Sequence, residues 1–172
     1  MSSAVPSTVV VDDEPSAEDL VAVEELLGRR PSSAFRVVVR HVEDRSPVVL
    51  RNEPLMDNGR PMPTTYWLVG EPERTLVSRI ESRGGVHRVE DEVGMENIAK
   101  AHRLYESERD ALINQTHNGP RPSGGVGGTR KGIKCLHAHY AWYLAGGDDP
   151  VGRWVAERLA AGEGQKEDWS DG

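Results

Sequence analysis

The sequence predicts an α+β fold: a small antiparallel sheet of three strands covered by four to five helices. Two observations carry this reading. Short apolar runs near residues 35–42, 48–50 and 64–69 are separated by turn residues, and such closely linked strands pair most simply as antiparallel neighbours. On either side of them, apolar residues recur at three-to-four spacing between helix-capping residues. The chain has 172 residues, a length that suits one domain. Residues 15–160 are assigned to that domain, with disordered acidic ends at 1–14 and 161–172. Apolar residues make up 37%, with 18 Gly and 11 Pro, so the core is expected to be modest and the loops long.

The elements follow in order. Ser16 caps a helix over about 16–27, with Asp19 three residues on as a capping-box partner. Leu20, Val23 and Leu27 give this helix an apolar face, and Gly28 suits its end. In the strand from Phe35 to Val42, alternation puts Phe35, Val37, Val39 and His41 on one face and Arg36 and Arg40 on the other. Val48-Val49-Leu50 is the returning strand, and Asp57-Asn58-Gly59 is a turn. Thr64–Val69, with Tyr66 and Trp67, is the third strand. Helices follow at about 73–83, stopped by Gly84-Gly85, and at 95–114. A Gly- and Pro-rich stretch over 118–128 then leads to a helix over about 133–145, with a short one after Pro150.

Net charge is −7, which argues against a nucleic-acid partner. The charge is uneven. Residues 1–28 hold seven acids and no Lys or Arg, whereas residues 111–147 hold Arg121, Arg130, Lys131 and Lys134 and no carboxylate. That basic segment stays open to a polyanion, and the acidic N-terminal helix could fold back on it. No run of about 18 apolar residues is present, so no membrane span is expected. The start of the chain has no secretory pattern, and its single cysteine fits a reducing cytoplasm, the expected location.

Chemistry concentrates at Lys134-Cys135-Leu136-His137-Ala138-His139. Cysteine and histidine are ligands for a divalent metal such as zinc, so Cys135, His137 and His139 are the metal candidates, with His102, His117 or His41 as further ligands. In a helix, Cys135 and His139 share a face, while His137 lies about 200° from Cys135. Cys135 is also a nucleophile candidate, since a helix N-terminus and nearby bases favour thiolates, with His137 or His139 as its base. The structural alternative is a buried free thiol between two flanking histidines.

The glycine loop points to an anion site. Gly124, Gly125, Gly127 and Gly128 free the backbone, a helix N-terminus follows, and Arg130, Lys131 and Lys134 add positive charge. The P-loop pattern fails at Ile133, and the dinucleotide fingerprint fails at Arg130. His41 reads as a satisfied core histidine, and Tyr66, Trp67, Tyr140, Trp142, Tyr143 and Trp154 read as core or interface.

Three motifs in order, Pro61-Met62-Pro63-Thr64-Thr65-Tyr66-Trp67-Leu68, Gly124-Gly125-Val126-Gly127-Gly128 and Lys134-Cys135-Leu136-His137-Ala138, resemble the bacterial domain of unknown function family 501 over about residues 35–155. The resemblance sets Cys135 and His137 above His139. It implies no established activity. The genes of such proteins stand beside a septum-formation initiator and an exopolyphosphatase-type enzyme in actinobacteria, an association with division or envelope growth. The first expectation is therefore a small binding or regulatory protein for a phosphorylated small molecule or a protein partner. Its alternatives are a metalloprotein or thiol-dependent enzyme centred on Cys135, His137 and His139, and a protein-interaction module.

Overall fold

The computed structural model describes residues 5–166. The predicted tail beyond 166 and the first four residues lie outside the described residues. The fold is α+β. Its sheet has four strands where three were expected: β1 (Thr8–Asp13), β2 (Phe35–His41), β3 (Pro47–Asn52) and β4 (Tyr66–Leu68). All pair antiparallel in the order of the chain. Six α-helices are present among the described residues: α1 (Ala17–Leu27), α2 (Glu71–Ser82), α3 (Gly85–Val93), α4 (Met95–Asp110), α5 (Leu136–Leu144) and α6 (Pro150–Ala160).

β1 is the added strand, in a segment expected to be unstructured. Its acids are matched by bases on the neighbouring strands. Asp12 pairs with Arg36 and, at 3.5 Å, with Arg51, and Asp13 accepts from Arg40 Nε at 2.8 Å. Arg40 continues to α1, where its Nη1 and Nη2 reach the two Asp19 carboxylate oxygens at 2.9 and 2.7 Å. Asp12, Asp13, Glu14 and Asp19 thus pair with bases of β2 and β3, and among the described residues no ion pair joins the N-terminal acids to the basic 111–147 segment. The fold-back expectation is corrected accordingly.

Local capping chemistry sets several boundaries. Ser16 and Asp19 form the expected reciprocal box (3.1 and 2.9 Å), and Gly28 closes α1 in the left-handed region at φ 71°. Asp149 caps α6 by accepting from Val151 N at 3.0 Å. α2 stops just before Gly84-Gly85, as expected. Gly84, at φ 75°, turns the chain from α2 directly into α3, which the sequence reading leaves out. α4 ends at Asp110, four residues before expected, and α5 begins at Leu136, three residues later than expected.

The core lies on both sides of the sheet. Val23 of α1 packs with Phe35, Val37, Leu50 and Val69 on one face. On the other, Val39, Val49 and Leu68 meet Val77, Ile80, Leu136, Tyr140 and Val155 from the remaining helices. Val37 and Val39 therefore serve different clusters, against the strict alternation expected. The register shifts between them, and such a bulge resets which way the following side chains point. A third cluster joins α4 and α5 beneath the glycine loop, with Tyr105 and Trp142 in edge-to-face contact at 5.2 Å.

Candidate functional site

α2 and α5 face each other across a cleft of about 880 Å³, with β4 as its floor. α2 turns Leu76, Val77 and Ile80 into the core and leaves Arg74, Ser78 and Glu81 on an adjoining stripe at four- and three-residue spacing. That stripe faces the start of α5. Cys135 is the N-cap of α5, with extended backbone (φ −153°, ψ 151°) and no capping hydrogen bond from its side chain. The capping role passes to Glu81, whose Oε1 accepts from Leu136 N at 2.6 Å.

The same oxygen lies 3.1 Å from His137 Nδ1. His137 Nε2 lies 3.2 Å from the Arg74 carbonyl and 3.0 Å from Ser78 Oγ. Burial alone would lower the pKa of His137, but the Cys135 side chain and the Glu81 carboxylate outweigh it and bring the value to about 9. At neutral pH both ring nitrogens then donate, Nδ1 to Glu81 and Nε2 to the Arg74 carbonyl or Ser78. Burial opposes ionisation of Glu81, and the hydrogen bonds from His137 and Leu136 still hold its carboxyl below the ordinary range. One ligating atom each from Glu81, Cys135 and His137 lies within 4.8 Å of the others.

The site histidines expected from sequence divide sharply. His137 is brought to Cys135, and His139 is not. Because α5 begins at Leu136, Cys135 precedes the helix and the shared-face argument for Cys135 and His139 lapses. His139 is fully buried, with Nδ1 2.7 Å from Asp149 Oδ2 and its ring beside that of His102. His102 accepts from Val126 N at 3.0 Å through Nδ1 and donates to the Gly132 carbonyl at 2.7 Å through Nε2. Burial, the largest influence, lowers its pKa, so it stays neutral and anchors the loop. His117 Nε2 lies near the Pro120 carbonyl in its own turn. His41 meets Glu73 at 2.6 Å in the core, as expected of a satisfied histidine.

The glycine loop uses its amides on itself. Gly125 N donates to the Thr129 carbonyl, Gly128 N to the Gly125 carbonyl and Val126 N to His102. Gly124 is held by Arg109, a fully buried side chain whose Nη1 donates to its carbonyl at 2.7 Å. Gly125 packs against His102 so closely that a Cβ there would lie 2.4 Å from the ring. Of the expected anion-site residues, Gly127 and Lys134 line the cleft. Gly124, Gly125 and Gly128 form the body of the turn, and Arg130 and Lys131 are exposed outside the cleft lining. Arg74 and Arg79 of α2 take the place of those bases in the cleft. Sequence reading missed both, together with Glu81. The signal for Arg74 and Glu81 was the polar stripe at 74, 78 and 81.

A family profile described as Protein of unknown function (DUF501) matches residues 38–157, well over half of the chain. The chain belongs to this family. The DUF501 match spans every residue lining the cleft except Leu27, so the cleft is built from the family's own segment. It leaves out β1 and α1, of which Leu27 alone lines the cleft. Comparison with curated proteins and with solved structures finds no significant match. No helix among the described residues is long and apolar enough to cross a membrane.

Proposed function

We propose that the cleft between α2 and α5 binds a phosphorylated small molecule, and that the protein is a binding or regulatory protein for it. The observation that carries this reading is the charge of the lining: Arg74, Arg79 and Lys134 against one carboxylate, Glu71. Arg74 and Arg79 are partly engaged, Arg74 with the Leu26 carbonyl at 3.0 Å and Glu71 at 3.8 Å, Arg79 with the Gly164 carbonyl at 2.9 Å. Lys134 is exposed and makes no ion pair among the described residues, which leaves it available to an incoming anion. Tyr66, Trp67 and Leu68 supply an apolar wall beside these charges, as ligand pockets for amphipathic small molecules do. Side chains carry most of the phosphate recognition here, since the Gly125, Val126 and Gly128 amides are already paired within the loop.

The test is calorimetric titration of the full chain with a panel of phosphorylated metabolites and inorganic phosphate. Lys134→Ala should weaken the tightest ligand by about tenfold, equivalent to about 1.4 kcal/mol. Lys131→Ala, outside the cleft, should change affinity less than about twofold. Absence of binding across the panel, or equal losses in the two variants, would overturn the reading.

A further inference from the structure

Glu81, Cys135 and His137 come from α2, the α5 N-cap and the first turn of α5, and they meet beside the cleft that Cys135 and His137 line. Two chemistries use such a set, and the distances separate them. In a nucleophile–base–orienter relay the imidazole stands between thiol and carboxylate. The end atoms are then separated by two hydrogen bonds and a ring width, roughly 7 Å. Here the sulfur, the ring nitrogen and the carboxylate oxygen all lie within 4.8 Å of one another, a triangle about one point. Tetrahedral zinc, with bonds of about 2.0–2.3 Å, holds its ligand atoms about 3.3–3.7 Å apart. The 3.1 Å between His137 Nδ1 and Glu81 Oε1 is close to that spacing.

The far side of the ring fits as well. A metal-bound histidine donates its other N–H to a carbonyl or carboxylate, which fixes the tautomer and the ring plane. His137 Nε2 has the Arg74 carbonyl at 3.2 Å and Ser78 Oγ at 3.0 Å for this purpose. We propose that Glu81, Cys135 and His137 form a three-ligand site for a divalent ion of the zinc class. One sulfur, one imidazole and one carboxylate suit a borderline ion better than calcium or magnesium, which take oxygen alone. On binding, the ion takes the place of the His137 Nδ1 proton and the Cys135 thiol proton, both released to solvent. All three side chains are half-buried, and Cys135 and His137 line the cleft, which leaves the fourth coordination position to water or a ligand from the cleft. His139, with its Asp149 partner, has no part in the set.

The test uses full-length protein stripped with a chelator and titrated with Co²⁺, then displaced with Zn²⁺. One ion per chain should bind, with a thiolate-to-cobalt charge-transfer band that Cys135→Ser abolishes. Glu81→Gln and His137→Gln should weaken Co²⁺ binding by at least about tenfold. Circular dichroism establishes that each variant is folded. As a check that needs no variant, Zn²⁺ should raise the Tm of the unaltered chain and protect Cys135 from alkylation. Lys134→Ala should keep full cobalt binding, which separates failure of this site from failure of the anion reading. No charge-transfer band in the unaltered chain, undiminished cobalt affinity in folded Glu81→Gln, or Cys135 alkylated equally fast with and without Zn²⁺ would each overturn the metal site.

Discussion

Asp19 ties α1 to the sheet through Arg40, and replacing it by Asn removes the charge while keeping the shape. The side chains of Arg40 and Asp19 are 10% and 9% exposed and meet through two hydrogen bonds, so solvent screens the pair little. Hydrogen bonding from Arg40, the largest influence, lowers the Asp19 pKa from 3.8 to about 2. A shift of that size corresponds to about 2 kcal/mol of folding stability at neutral pH. Because the folded-state value lies below the unfolded one, this contribution is fully present above about pH 4. It is lost as pH falls through the folded value near 2. Asp19→Asn should therefore cost about 2–4 kcal/mol at pH 7, the upper part reflecting a buried Arg40 left short of a partner. The assay is urea denaturation of both chains at a series of pH values. The difference should hold from pH 7 to about 4 and narrow below that. Ser16→Ala, which removes the cap and leaves the ion pair, should cost about 1 kcal/mol at pH 7, less than Asp19→Asn. A cost for Asp19→Asn that stays constant down to pH 2.5 would refute the assignment to the Arg40 pair.

Gly125→Ala should destabilise the chain by about 1–3 kcal/mol, read as a lower Tm, because a Cβ 2.4 Å from the His102 ring forces the loop or the histidine to move. Tyr105→Phe should cost about 1–3 kcal/mol in urea denaturation, since the buried Thr65 N–H donates to the Tyr105 hydroxyl at 2.7 Å and would be left unpaired.

What could be read along the chain was what short-range chemistry decides. The α1 box of Ser16 and Asp19, the Gly28 terminus and the Asp149 cap rest on groups within a few residues of each other. Their hydrogen bonds form whatever the rest of the fold does, and their residue types mark them. The strands at Phe35, Pro47 and Tyr66 and the α+β class follow from apolar runs and turn spacing in the same way. β1 did not, because Asp12 and Asp13 make a poor strand end until Arg36, Arg40 and Arg51 stand opposite them.

The site divides along the same line. Cys135 and His137 were recognisable as reactive types, and the Gly-rich stretch as an irregular loop. Their true partners were not, because Glu81 reaches Leu136 and His137 across 55 and 56 residues. The start of α5 moved from 133 to Leu136, which took Cys135 off the helix and separated it from His139. The positive charge of 111–147 was visible at once, yet Lys134 alone of its bases lines the cleft, and Arg74 and Arg79 arrive from α2. The class of fold, the helix caps and the reactive residue types depend on local bonding and periodicity, and so can be read along the chain. Which charges neutralise one another, and which side chains share a point in space, depend on packing between elements distant along the chain and emerge with the fold.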